Sequence, residues 1–154
     1  EVYAAWLSER TGVTWRLPTE PEWQRAAAER YGDATPEDED YLDPGQRMLA
    51  QYERGILLRG SASSALRPAG GFGENSMGVA DLSGNVWEWT ADTFNAFPGF
   101  SADAYKEYST MLFGDTKVLR GGAWTTRGRM IHGTYRNYFE AHRRDVFSGF
   151  RACR

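Results

Sequence analysis

The stretch Asp81-Leu-Ser-Gly-Asn-Val-Trp-Glu-Trp89 restricts the folding of this chain more than any other. Ser83-Gly84-Asn85 is turn chemistry, and Val86-Trp-Glu-Trp89 after it alternates, so the pleat sends Trp87 and Trp89 to one side and Val86 and Glu88 to the other. The expected element is a tight turn feeding a strand whose two indoles enter a core. Asp81 and Glu88 bracket the turn. Two carboxylates and the loop carbonyls between them suit a hard cation, which takes several oxygen ligands. On spacing alone the plainer reading is an aspartate capping a surface turn, with Glu88 on the wet face.

A chain of 154 residues, 41% of them hydrophobic, is enough for a single core but not two. Aromatic residues at 14% and 17 glycines point to many short strands and turns, with bulky side chains filling between them. No apolar run approaches the ~20 residues that span a bilayer, and nothing at the start resembles a signal peptide. A lone cysteine, Cys153, excludes an internal disulfide and a cysteine-based zinc site, and a reducing cytoplasmic setting is the simplest inference. The net charge of −3 hides an asymmetry. From residue 117 to 154 there are nine basic residues against Glu140 and Asp145, a local excess of +7. These arginines are interleaved with Trp, Tyr, Phe and Gly, which suits ion pairs and a carboxylate pocket better than a nucleic-acid patch.

The chain opens at Glu1 inside a helical pattern, with Val2, Tyr3, Trp6 and Leu7 on one face, ending near Gly12. No capping residue precedes it, and the chain reads as the later part of a longer polypeptide. A second helix follows: Thr19 with Glu22 is a capping box, Pro21 sits in the tolerated first turn, and Trp23, Ala26 and Ala27 form the buried face. Between about 31 and 73 the signals weaken into a loop-rich insertion with an acidic run at Glu37–Asp40, a short helix over Gln46–Arg54 and loop at Ser61–Ser64. After the Trp-Glu-Trp strand, Asp92 to Phe113 is a long aromatic loop, either packed down by its own side chains or lining a site. Val118-Leu-Arg-Gly-Gly-Ala-Trp124 reads as strand, glycine turn and strand, and Thr134–Phe139 and Val146–Arg151 as closing strands.

Histidine chemistry finds no support: His132 and His142 lie ten apart, which builds no two-His-one-carboxylate iron site. No nucleophile-elbow motif supports a Ser-His-Asp site. What remains is a wall of Tyr105, Tyr108, Arg136-Asn-Tyr-Phe139 and Arg143-Arg144. A phenol donates a proton or hydrogen bond, an amide fixes a carboxylate or imidazole, and a guanidinium grips a carboxylate with two parallel bonds. On spacing alone these residues read first as core aromatics and ion pairs.

Several motifs resemble the formylglycine-generating-enzyme, or sulfatase-modifying-factor, domain: Arg16-Leu-Pro-Thr-Glu-Pro-Glu-Trp23, Asn75-Ser-Met-Gly78, Asp81 to Thr90, Val118 to Trp124 and Gly149-Phe-Arg151. They keep the family's order and spacing across nearly the whole chain. The resemblance implies an α+β, C-type-lectin-like fold of short antiparallel strands, two main helices and long loops, as one N-terminally truncated domain over 1–154. It also implies a structural calcium ion held by the side chain of Asp81, the carbonyls of Gly84 and Val86, and Glu88. True formylglycine-generating enzymes use two cysteines after the Gly-Gly turn, where this chain has Thr125 to Ile131 and none. That thiol oxidation is excluded.

A closer resemblance is to the C-terminal domain of ergothioneine synthases and their selenoneine-synthase-like branch. It rests on Phe97-Pro-Gly-Phe100, Tyr105-x-x-Tyr108, Tyr135-Arg-Asn-Tyr-Phe139 and Arg143-Arg-Asp-Val-Phe-Ser-Gly-Phe-Arg151. Members are non-haem iron enzymes that use O2 to join sulfur or selenium to the imidazole of hercynine. The resemblance implies Tyr105 as proton donor, Tyr108 and Asn137 facing the hercynine carboxylate, Tyr138 and Phe139 as pocket wall, and Arg143 as anchor for the carboxylate of the thiol. Members that use γ-glutamylcysteine carry an aspartate where this chain has Phe139, so a different donor, such as cysteine or a selenosugar, is expected. Their Fe(II) is held by histidines of an N-terminal helical domain outside this sequence, so this stretch alone is expected to be inactive. A non-catalytic module of another class, the variable proteins of diversity-generating retroelements, shares the Arg-Gly-Gly turn and the Gly-Phe-Arg ending.

Overall fold

Helix α1, Val2–Thr11, stops where the sequence says it should: Gly12 takes φ 69° and its N–H donates to the Ser8 carbonyl at 2.9 Å. The architecture comes from a computed structural model describing residues 1–28, 68–71, 73–126 and 130–154, without the side chains of Lys106 and Ser109. The acidic run, the helix over Gln46–Arg54 and the loop at Ser61–Ser64 therefore lie outside the described residues. The chain divides into two compact units. The first comprises Glu1–Trp23, Glu88–Arg120 and Arg136–Arg154, the second Gln24–Trp87 and Gly121–Tyr135.

The apolar face expected of α1 is not buried. Ala4 is the helix's one buried residue, whereas Val2, Tyr3 and Trp6 are exposed. Tyr3 meets Trp6 at 5.4 Å and Phe150 at 5.6 Å, and the Arg10 guanidinium lies over the Trp6 ring. Helix α2, Glu20–Ala27, has both halves of its capping box. The Thr19 N–H donates to Glu22 Oε2 at 2.8 Å, and the Glu22 N–H donates to Thr19 Oγ1 at 3.4 Å. Arg16 forks onto the same carboxylate at 2.7 Å on both oxygens, and with Thr19 it holds the Glu22 carboxyl at about 2, below the ordinary 4.5. Trp23 and Ala27 are buried as expected.

Four strands form one sheet in the order β3-β2-β1-β4: β1 Trp87–Thr93, β2 Lys117–Arg120, β3 Asn137–Phe139 and β4 Ser148–Gly149. β1 runs antiparallel to β2 with Glu88 opposite Arg120 and Trp89 opposite Leu119, then slips so that Thr93 faces Lys117. β2 runs antiparallel to β3, pairing Val118 with Tyr138 and Leu119 with Asn137. Val118 and Leu119 are fully buried at the centre of this sheet. The closing strands are shorter than the sequence suggests, three and two residues.

The expected strand after the Gly-Gly turn does not form. Gly121 and Gly122 take φ 95° and 76°, and a Cβ on Gly122 would stand 3.0 Å from two side-chain carbons of Ile131, so a side chain at this position would be strained. The chain then turns, with the Ala123 N–H donating to Thr126 Oγ1 and the Trp124 N–H donating to the Asn85 carbonyl. Gly84 donates in turn to the Gly121 carbonyl at 2.9 Å. The two turns of this unit are therefore bonded to each other rather than extended into a ladder.

Candidate functional site

Two buried carboxylates organise the first unit. Glu20 accepts from Arg120 Nη1 at 2.9 Å and from Arg136 Nε and Nη2, each at 2.8 Å. The Arg120 side chain has no exposed surface and also lies over the Trp23 ring. Glu88 accepts from the Trp23 indole N–H and from Arg151 Nε, each at 2.6 Å on Oε2, and from Arg151 Nη2 on Oε1. The expectation of Glu88 on a wet face is thus corrected: it is 7% exposed, covered by a guanidinium and an indole that alternation cannot foresee.

The loop after β1 is folded by its own rings. Phe94 meets Phe113 at 5.1 Å and stacks on Tyr138 at 4.2 Å, and Phe100 meets Phe113 edge-on at 5.6 Å. Its neck is closed by the Phe94 N–H on the Thr116 carbonyl and the Gly114 N–H on the Phe94 carbonyl. Within it stands a short helix absent from the sequence reading, α3, Lys106–Thr110. Tyr105 precedes this helix, its N–H donating to Asp103 Oδ1 at 2.9 Å, and Tyr108 lies one turn on. Both phenols are turned outward, 66% and 76% exposed, while the phenylalanines hold the loop down.

The other expected site residues fall in or next to β3. Asn137 is half-buried, and its Oδ1 accepts from the Tyr138 N–H at 2.9 Å. Phe139 lies 5.1 Å beneath the Arg143 guanidinium, which forks onto Asp145 at 2.6 and 2.7 Å. Arg143 holds the Asp145 carboxyl below the usual carboxylate range. Contacts therefore join Tyr138 to the aromatic loop and Phe139 to Arg143, and Tyr105 and Tyr108 stand exposed just before and within α3. None of the six sits in a packed interior.

In the second unit the Asp81 turn has special backbone. Asp81 and Asn85 take φ 56° and 52°, and Asp81 Oδ2 accepts from the Gly70 N–H at 2.8 Å. Asn75, from the Asn-Ser-Met-Gly motif, accepts from the Met77 and Val79 N–H groups and donates to the Ala26 carbonyl. His132 pairs with Thr134 Oγ1 at 3.0 Å, and His142, 80% exposed, stands 3.4 Å from Glu140. Among the described residues no group of three or more His, Cys, Asp and Glu is placed to hold a metal ion. Cys153 is a free thiol, bridged through its backbone to Arg16 at 2.8 and 2.9 Å.

Three residues missed by the sequence reading prove central: Glu20, Arg120 and Arg151. The signal for the two arginines was their place in otherwise apolar stretches, Arg120 after Val118-Leu119 and Arg151 after Gly149-Phe150. Such a residue must find a buried carboxylate.

Hercynine oxygenase of Mycobacterium tuberculosis is 35% identical over 161 residues, covering 98% of this chain and 33% of that protein. The chain spans about a third of the length of the curated relatives it matches. PvdO of Pseudomonas aeruginosa superposes with a TM-score of 0.63 at 24% identity, covering 99% of this chain and 57% of the other. Treponema denticola variable protein 1 superposes at 0.54 and 28% identity, covering 91% and 48%. The fold is the α+β, C-type-lectin-like one that the motifs imply. A family model described as the sulfatase-modifying factor enzyme 1-like domain matches residues 1–154, and the chain belongs to that family.

Proposed function

We propose that this chain is the substrate-binding domain of an O2-dependent, non-haem iron synthase that joins sulfur or selenium to the imidazole of hercynine. The observation that supports it most is the exposure of Tyr105 and Tyr108 on a loop otherwise held down by its phenylalanines, in a chain whose curated relatives include hercynine oxygenases. Tyr105 is the proton donor at its phenol oxygen. Tyr108 and Asn137 hydrogen-bond the hercynine carboxylate, Tyr138 and Phe139 form the wall, and Arg143 anchors the carboxylate of a thiol donor. A donor carboxylate must compete there with Asp145, and a selenosugar would not. Fe(II) comes from an N-terminal helical domain of a longer polypeptide, in a reducing cytoplasm that suits the free Cys153.

The test is the full-length polypeptide, loaded with iron without oxygen, given hercynine and a thiol or selenium donor, then O2. The expected result is a product heavier than hercynine by the transferred group. Binding of no hercynine at millimolar concentration rules the reading out. The likeness to the Treponema variable protein would then favour a non-catalytic ligand-binding module.

A structural calcium ion in the segment 81–88 is part of the same proposal. Its ligands are the side chain of Asp81, the carbonyls of Gly84 and Val86, and Glu88, an all-oxygen set that calcium takes. A carboxylate has about four lone-pair sites. Trp23 and Arg151 use three of those on Glu88, leaving one on Oε1. An ion at a hundred times its Kd stabilises the native state by about 2.7 kcal/mol, so a chelator is expected to lower Tm by several degrees. Asp81→Ala should lower Tm more in calcium than in chelator. Equal melting of the parent with and without chelator discards the ion.

A further inference from the structure

We propose that Arg136 is the positioning residue that couples the tyrosine-bearing loop, residues 94–116, to the strand bearing Asn137 and Tyr138. For its substrate readout the inference rests on the hercynine reading, but its structural readout does not.

The Arg136 side chain is 12% exposed, and its guanidinium reaches three segments at once. Nε and Nη2 form the fork onto Glu20, at the start of α2. Nη1 donates to the Asn95 carbonyl at 2.8 Å, at the start of the loop. The plane of the group lies over Phe97 at 4.2 Å and over Phe94 at 4.6 Å. Phe94 in turn stacks on Tyr138 with ring planes 26° apart, and its backbone closes the loop neck through Thr116 and Gly114. One side chain thus fixes the neck of the loop against a buried carboxylate, immediately before Asn137 in sequence.

Only arginine can make this set of contacts. A planar fork satisfies two carboxylate oxygens and a carbonyl in one plane while its faces stay available to rings. Lysine would keep the charge opposite Glu20 but is a point donor without a flat face. Arg136→Lys therefore removes the Asn95 bond and the ring stacking while leaving Glu20 a cationic partner. Arg120, the other guanidinium on Glu20, lies over the Trp23 ring.

The test uses the full-length protein as Arg136→Lys and as Phe97→Leu, the latter at a half-exposed ring whose loss leaves the Glu20 pair intact. Amide hydrogen exchange in 94–116 is expected to speed up about tenfold or more in Arg136→Lys, and less in Phe97→Leu, while β1 and β2 exchange as in the parent. With hercynine, kcat/KM is expected to fall about 10- to 100-fold, mostly through KM, because Tyr108 and Asn137 no longer hold a fixed separation. Loop exchange unchanged in both variants overturns the inference. So does a rise spread evenly over loop and sheet, which marks plain destabilisation. If the parent binds no hercynine, the functional reading fails, and selective loosening of 94–116 still supports the coupling.

Discussion

Glu20→Ala is expected to destabilise the protein by about 3–5 kcal/mol, because it leaves two guanidinium groups without their shared buried carboxylate. Glu20 is 4% exposed, and the side chains of Arg120 and Arg136 are 0% and 12% exposed. Neither arginine can shed its proton, so the charges must be rehydrated or the packing opened. The control is Arg16→Ala. Its bidentate pair with Glu22 has similar distances but side chains nearly half exposed, and an exposed pair of that kind contributes little to stability. Geometry is alike in the two cases and burial differs, so burial decides. Urea unfolding of both variants measures the contrast. Where Glu20→Ala fails to fold, Glu20→Gln, which keeps an acceptor oxygen but drops the charge, should still lose more than Arg16→Ala. Equal losses for the exposed and buried pairs would remove the network from the account of stability.

The same network explains which parts of the fold could be read from the chain. Local chemistry was legible: the capping box at Thr19 and Glu22, the left-handed Gly12, and the turn at Ser83-Gly84-Asn85 each depend on residues a few positions apart. Pairing over long separations was not. Glu88 follows an alternating pattern that assigns it to solvent, yet Trp23 and Arg151, 65 and 63 residues away, bury it. The strand expected after Gly122 failed for a related reason, since the Trp124 N–H finds the Asn85 carbonyl instead of a ladder partner. Helix α1 shows the opposite error: its periodic apolar residues form an exposed cluster with Phe150 rather than a core face. Among the proposed site residues, the sequence marked Tyr105 and Tyr108 as a pair, and the structure sets them on one exposed turn. Arg143 was expected to wait for a substrate carboxylate, whereas Asp145, two residues on, holds it. A resemblance names residue types at positions; it does not say which neighbour satisfies them first.

Tyr105→Phe in the iron-loaded, full-length polypeptide is expected to slow product formation about 10²- to 10⁴-fold, the usual contribution of a positioned proton donor. The substitution deletes one oxygen and keeps the ring. Because the residue is 66% exposed, Tm should stay within a degree or so of the parent when that oxygen is removed. Hercynine affinity should change far less than kcat, since the carboxylate is held by Tyr108 and Asn137. Tyr108→Phe should show the reverse split, a raised KM with kcat nearly kept, because it removes binding made equally in ground and transition states. Tyr105 immediately precedes the short helix that carries Tyr108, so a general disturbance of that helix would alter both parameters in both variants. Opposite splits from adjacent phenols can only arise if each oxygen meets a different part of the substrate. Unchanged turnover in Tyr105→Phe removes that residue from proton transfer, and identical behaviour of the two variants removes the division of roles between them.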